Sequence, residues 1–364
     1  MIPLFWEVRL MVPLRKLKVL KPKFLGLPVG NVIIDGMPSL QKLKYPLLDR
    51  SESHNESILI EGDSGSGKNF LAFLLGVKLS LFHNQPLIFF DLKGDYRGSN
   101  NFNSFYKPYF FETRVFVPAH YLLKYSESDK AYYEVTDSLQ FKESILTPEV
   151  VIRLSKLDPN AQYTGYLERA FRELTLISIY GLKERINSYM NPENKKSLSI
   201  LLSGLERLEH LGLFSPDGFD FKELFLPENR CRIYVFSFVQ PDMDRFTLYG
   251  LLLNQLFEHV KRSPECYPVV ILDELKLSAP SRRFRDELTD YSSLIVSYVK
   301  EMGRGKLIRV FICQSRKDLL ESFSDSPCPI EFVFYARRKC IMLHSIKKIK
   351  AFLYVGKCPL VLKT

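Results

Sequence analysis

Residues 62–69 read Gly62-Asp63-Ser64-Gly65-Ser66-Gly67-Lys68-Asn69, which satisfies the spacing G-x-x-x-x-G-K. The stretch stands between a short apolar run, Ser57-Ile58-Leu59-Ile60-Glu61, and a segment with helical apolar spacing, Asn69–Leu81. Strand, glycine-rich turn and helix in that order are the context in which this spacing is a phosphate-binding loop. Glycines let the backbone wrap an anion so that successive N–H groups point inward, and the helix N-terminus adds its positive end. The reading assigns nucleotide contact to Gly62, Asp63, Ser64, Gly65, Ser66, Gly67, Lys68, Asn69 and Phe70, with Lys68 reaching the β- and γ-phosphates of ATP. The bland alternative, a Gly/Ser turn that only caps a helix, is disfavoured by the flanking strand and helix. One position departs from the pattern. Where Ser or Thr usually offers Mg²⁺ a hydroxyl there is Asn69, whose amide oxygen can still ligate a hard cation. A protein that binds nucleotide but turns it over weakly is the alternative this residue brings.

Working outward, Leu87-Ile88-Phe89-Phe90 ends in Asp91 and reads as a second strand, so strand, helix and strand form a βαβ unit in a parallel sheet. Further on, Pro268-Val269-Val270-Ile271-Leu272-Asp273-Glu274 is an apolar strand ending in two acids. A buried parallel strand delivers Asp273 to the C-terminal edge of the sheet, where it can hold Mg²⁺ through water. Glu274 is then placed to polarise the water that attacks the γ-phosphate. Apolar strands ending in Asp are common, and it is the upstream loop that gives this one meaning. A third strand, Val310-Phe311-Ile312-Cys313, ends in Gln314-Ser315. If it lies between the other two, Gln314 can contact the γ-phosphate or the attacking water.

The remaining text sets the organisation. Residues 1–50 are short apolar runs cut by Pro and Gly, a β-rich entry segment with Met1–Leu14 as an edge strand. Residues 51–96 and 231–364 carry the strands and helices of the ATPase core. Between them, residues 97–230 separate two sheet strands by more than a crossover needs and form an insertion. Its first part resists assignment, while Ala161–Leu182 and Ser197–Leu211 have helical spacing. The fold class is thus α/β, a P-loop (RecA/ASCE-like) doubly wound, mainly parallel sheet with a small β-rich N-terminal segment and a largely helical insertion. The 364 residues carry 51 Lys plus Arg against 41 Asp plus Glu, a net +10 that fits a polyanionic partner without proving one. The six cysteines include no C-x-x-C pair, which argues for buried thiols in a reducing compartment over a zinc or disulfide framework. Leu71–Phe82 and Ile233–Val239 are too short to cross a bilayer. A cytoplasmic location without a membrane partner is the expectation.

The series resembles the HerA/FtsK superfamily of ring-forming DNA-translocating ATPases, particularly its HerA-type branch with viral and plasmid relatives. The resemblance rests on Gly62–Asn69, Phe90-Asp91-Leu92-Lys93-Gly94-Asp95-Tyr96 and Ile233-Tyr234-Val235-Phe236-Ser237-Phe238. It continues through Val269–Glu274, Glu301-Met302-Gly303-Arg304-Gly305-Lys306 and Phe311–Ser315. It implies homohexamers with ATP between subunits, duplex DNA in a central pore, and an arginine supplied across the subunit boundary. Arg304 matches that arginine, and Arg337 and Arg338 are weaker candidates; an always-charged planar donor suits the bridging of phosphate oxygens. His54 also falls at a family position, although a lone His is more often structural.

Contact with double-stranded DNA is expected from pore-facing loops. Lys276-Leu277-Ser278-Ala279-Pro280-Ser281-Arg282-Arg283-Phe284-Arg285 carries four cations and no acid. Its residues Lys276, Arg282, Arg283 and Arg285 are the DNA-binding candidates, against the alternative of a solvated basic face. Lys347-Lys348-Ile349-Lys350 has a weaker claim. An ATP-driven, Mg²⁺-dependent translocase with helicase-like activity is the leading reading. A nucleotide-dependent scaffold and a soluble viral packaging motor are the others. A nuclease, a capsid component or a transfer protein would be the further partner.

Overall fold

The computed structural model describes residues 8–11, 26–34, 37–46, 56–94, 96, 112–226, 232–239, 244–263, 266, 268–274, 307–315, 330–336, 339–344 and 349–355. The elements run β1 (Val8–Met11), β2 (Gly26–Ile34), β3 (Met37–Pro46), β4 (Glu56–Glu61), α1 (Lys68–His83) and β5 (Leu87–Asp91). Then come β6 (Thr113–Pro118), α2 (Ala119–Leu122), α3 (Glu127–Tyr133), β7 (Asp137–Leu139), β8 (Phe141–Lys142), α4 (Pro148–Leu154), α5 (Tyr163–Glu173), α6 (Ile179–Ser188) and α7 (Lys195–His210). The rest are β9 (Phe214–Ser215), β10 (Ile233–Ser237), α8 (Asp244–Arg262), β11 (Val269–Leu272), β12 (Ile308–Cys313), β13 (Ile330–Ala336), β14 (Lys339–His344) and β15 (Ile349–Val355). They fall into two compact units, one of Met1–Phe90, Pro227–Ile233 and Leu256–Thr364, the other of Asp91–Leu226 and Tyr234–Gln255.

The first unit is built on a sheet ordered β3-β2-β1-β15-β14-β13-β4-β12-β11-β5. Its centre is parallel: β13 pairs with β4, β4 with β12, β12 with β11, and β11 with β5. Strands buried on both faces read as near-continuous apolar runs; β11 is apolar and buried at every position, and β12 is buried at every position with Arg309 as its one charged residue. The outer part is antiparallel through β13-β14-β15, and β1 closes on β15 in the same sense. This is the α/β, doubly wound P-loop architecture expected from the motif order. Helix α1 is apolar nearly all round, with Leu71, Ala72, Leu74, Leu75 and Leu79 fully buried, as a helix inside a core must be. It ends at Asn84, a left-handed cap whose amide returns to the carbonyl of Leu81.

Gly76 lies in the middle of α1. A Cβ there would stand 2.8 Å from Ile271 Cδ1 on β11 and 2.9 Å from Leu87 Cδ1 on β5. The glycine lets the helix approach the sheet more closely than alanine would, and so sets the height of the loop that begins the helix.

The second unit pairs β6 with β7 in parallel and places β6 next to β10. Phe116 stacks on Phe236 at 5.0 Å, and Phe219 and Phe221 close around Phe236. Helices α4 to α7 pack against one another, buried through Leu154, Leu167, Leu182, Ile186, Leu201 and Leu205. The continuous helix expected over Ala161–Leu182 is two helices. Leu174 turns extended at the end of α5, and Ser178 caps α6 by accepting from the amide of Gly181 at 3.0 Å. Ser is a preferred N-cap because its oxygen satisfies an orphan amide, and here that local bond outweighs the apolar periodicity running through it. The part that resisted assignment holds β6, β7 and α3, which opens on a reciprocal Ser126–Asp129 capping box.

Candidate functional site

Register brings the three motifs to one edge of the first unit. β12 lies between β4 and β11, with Cys313 level with Glu61, and Phe311 level with Leu272. Because these strands are parallel, the loop after Glu61, residue Gln314 after Cys313, and Asp273-Glu274 after Leu272 all leave the same edge. The position on which the role of Gln314 depends is therefore met. Gln314 itself is exposed.

The loop is tied to its neighbour at its first residue, where the amide of Gly62 donates to the carbonyl of Cys313 at 3.3 Å. The Ser66 amide donates to Asp63 O at 3.2 Å, and the Leu71 amide opens the helix ladder on Gly67 O at 3.0 Å. Gly65 and Gly67 have φ of 73° and 109°, values that residues with a Cβ rarely adopt. Space around Gly65 is open, with no atom within 4 Å of a Cβ built there, so it is the backbone that requires glycine at that point. Asp63, Ser64 and Gly65 are exposed, Asn69 and Phe70 are half-buried, and Ser66 and Lys68 are buried. Lys68 Nζ donates to Asp63 O at 2.6 Å, which holds the ammonium across the loop.

Two observations bear on whether this cradle fits a polyphosphate. The first turn of α1 carries no acid, and its N-cap, Gly67, makes no side-chain cap bond. The positive end of the helix is thus not neutralised by the helix's own side chains. The buried Ser66 hydroxyl has no hydrogen-bond partner among the described residues, an arrangement rare in protein interiors except where a ligand or water completes it. A phosphate chain fits such a loop.

The acid pair stands two strands away from β4. Asp273 is fully buried and its amide donates to Phe90 O at 3.4 Å; Glu274 is buried, and its amide donates to Asp273 Oδ1 at 2.8 Å. A buried carboxylate at the end of a strand suits a hard cation better than it suits an apolar core. Within the second unit, the Asp91 carboxylate accepts from the amides of Lys93, Gly94 and Tyr96 at 3.0, 2.8 and 3.3 Å. Those bonds show that this acid shapes its own turn. No group of three or more potential metal-ligating side chains occurs among the described residues, and no helix among them is long and apolar enough to cross a membrane.

Arg304, Lys276, Arg282, Arg283, Arg285, Arg337, Arg338, His54, Lys347 and Lys348 lie outside the described residues. Three features escaped the motif reading. The Cys313 carbonyl, as a backbone group, has no residue signature. Gly76 was visible as a glycine inside a helical pattern, where alanine is the better helix former. The glycine spacing makes Ser66 a loop residue, but nothing in its neighbours announces a buried hydroxyl.

No protein-family model matches the chain. Among curated proteins it is similar to the DNA import protein CedB of Sulfolobus acidocaldarius, 25% identical over 283 residues, covering 74% of this chain and 42% of that protein. The chain thus spans about two-fifths of that relative's length. Among solved structures it is similar to the bacterial conjugative coupling protein TrwBdeltaN70, with TM-score 0.45 and 13% identity over 89% of this chain and 82% of that one. The genome packaging NTPase B204 from Sulfolobus turreted icosahedral virus 2 gives TM-score 0.36 and 8% identity over 84% of this chain and 100% of that one.

Proposed function

We propose that this chain is a HerA/FtsK-type P-loop ATPase, the ATP-hydrolysing subunit of a homo-oligomeric ring that moves double-stranded DNA. The observation that carries the reading is the place of β12 between β4 and β11. It sets a phosphate loop, a polar amide and an acid pair on one sheet edge. In this reading the loop amides of residues 62–69 and Lys68 hold the phosphates, and Lys68 exchanges its bond to Asp63 O for phosphate oxygens. Asp273 and the Asn69 amide oxygen would hold Mg²⁺, which when bound supplies charge neutralisation between the phosphates. Glu274 orients and deprotonates the attacking water, Gln314 contacts the γ-phosphate or that water, and Arg304 of a neighbouring copy contacts the γ-phosphate.

DNA enters the proposal through the similarity to a DNA import protein and through the net charge of +10. Lys276, Arg282, Arg283 and Arg285 are assigned the backbone contacts, which need no base reading for translocation. ATP turnover stimulated by duplex DNA, and absent from Lys68→Ala, is the expected result. Asn69 favours one second reading, a nucleotide-dependent scaffold. Binding of ATP with no turnover above the Lys68→Ala control would sink the motor and leave the scaffold standing. Glu274→Gln is expected to retain ATP in a ring-shaped oligomer, and a strictly monomeric nucleotide-bound species would count against the ring.

A further inference from the structure

Four non-glycine residues among those described have positive φ: Asn84 at 53°, Glu134 at 51°, Lys156 at 56° and Glu274 at 47°. The first two are the C-caps of α1 and α3, with amides returned to helix carbonyls. Lys156 follows the C-cap of α4, and its amide donates to Arg153 O at 3.0 Å. A left-handed residue is an ordinary way for a helix to end. Glu274 has no helix before it; it follows β11. Its Cβ crowds the following carbonyl in this region, and glutamate has none of the local hydrogen bonding by which Asn and Asp offset that cost. Such a backbone persists where its surroundings fix it. Here its amide is fixed by Asp273 Oδ1 at 2.8 Å, from a carboxylate that is itself fully buried.

We infer that Asp273 is a positioning residue for Glu274, its Oδ1 holding the left-handed backbone that sets the direction in which the Glu274 side chain leaves the sheet edge. The inference rests on the ATPase reading and adds to it that the two acids do not act independently. One oxygen of Asp273 is committed to the protein backbone, so the carboxylate divides between holding Glu274 and facing the cation. Asparagine separates these tasks, because its amide oxygen can accept the same N–H while carrying no charge.

The experiment compares Asp273→Asn with Asp273→Ala. In hydrogen–deuterium exchange of the nucleotide-free proteins, the Glu274 amide should exchange at a near-wild-type rate in the Asn variant. It should exchange about tenfold faster or more in the Ala variant, which leaves a buried donor unpaired. Slow exchange in both overturns the inference. In Mg²⁺ titrations of turnover, both variants should need more metal for half-maximal rate, and at saturating Mg²⁺ the kcat of the Asn variant should be about tenfold above that of the Ala variant. Equal kcat values in the two also overturn it. If Asp273→Ala does not fold, the double variant Asp273→Ala/Glu274→Gly decides the matter. Glycine removes the Cβ clash, so folding should be recovered in the double variant, whereas additive losses refute the coupling. A wild-type protein without ATP turnover would sink the ATPase reading, and the exchange arm would still judge the positioning role by itself.

Discussion

Gly76→Ala is the change whose sign depends most directly on how close α1 lies to the sheet. In a solvated helix, glycine to alanine stabilises by about 1 kcal/mol, because alanine is the better helix former. Here the new methyl would stand 2.8 Å from Ile271 Cδ1 and 2.9 Å from Leu87 Cδ1, and both of those residues are fully buried. Carbon atoms pack best at separations of about 3.5–4.0 Å, so the shortfall is roughly 0.7 Å at the nearer contact. Ile271 and Leu87 sit on β11 and β5, which are hydrogen-bonded to each other, so neither strand can retreat alone. Overpacking of a filled core costs about 1–3 kcal/mol. Set against the gain in helix propensity, the net expectation is a loss of up to about 2 kcal/mol, with two strands resisting relief.

A double-mutant cycle tests whether that contact is the cause. Ile271→Val deletes the Cδ1 atom and alone should cost about 0.5–1.5 kcal/mol. In the Gly76→Ala background the same deletion relieves a clash, so the pair should be less destabilised than the sum by about 1 kcal/mol. Urea midpoints at unchanged m-value measure each term. Nucleotide affinity gives a second readout, since α1 begins at Lys68 and binding geometry tolerates only about 0.5 Å of displacement. Gly76→Ala should weaken ATP binding, and the added Ile271→Val should restore part of it. A Gly76→Ala protein stabilised by the full propensity term, or strict additivity in the cycle, would refute this account of the α1 height.

Asn69→Thr restores the usual hydroxyl and should lower the Mg²⁺ concentration for half-maximal turnover by on the order of tenfold; an unchanged requirement would remove residue 69 from the metal site. Replacing Arg282, Arg283 and Arg285 with Ala should weaken duplex binding and flatten the log–log salt dependence by about 2.7 if all three meet phosphates. Unchanged affinity and slope would exclude that loop. Glu173 accepts from the Tyr189 hydroxyl at 2.6 Å and from Arg169 at 2.7 Å, with Arg185 at 3.4 Å. The Tyr189 bond, then the Arg169 bond, hold its carboxyl below the usual carboxylate range. With the folded-state value depressed, this contribution is present above the ordinary carboxylate pKa and is lost as pH falls through the folded value. Glu173→Gln should therefore lower the melting temperature at neutral pH and have a shrinking effect on acidification. An effect that does not change with pH would show that the carboxylate charge is not what links α5 to α6.

What could be read from the chain was largely what is local to it. The spacing of Gly62, Gly67 and Lys68, and the apolar runs ending at Asp273 and Cys313, assign residues to strand ends because a strand's own side chains decide whether it is buried on both faces. The break between α5 and α6 was local too, since Ser178 is an N-cap residue, but the apolar period across Leu174–Ile177 hid it. Short elements such as β6, β7 and α3 escaped because few residues carry each pattern, although the Ser126–Asp129 spacing was a usable sign. The closing of β1 on β15 joins residues Val8 and Val355, and no pattern in either strand names its partner.

The same distinction explains why the position of β12 carries more weight than any single motif. In chain order β12 comes after β4, β5 and β11, yet in space it lies between the first of them and the last. Parallel pairing requires a crossover for every such neighbour, and the apolar text of β12 would serve equally well at the sheet's outer side. Had it been placed there, Gln314 would leave the edge far from the loop and could touch neither phosphate nor water. Its insertion between β4 and β11 puts the acid pair two strand spacings from the phosphate loop, or about 10 Å in the pairing direction. It also brings the Cys313 carbonyl onto the amide of Gly62. Gln314 thus directly follows the residue whose carbonyl holds the first residue of that loop. That link requires β12 beside β4, and strand patterns alone do not choose this neighbour.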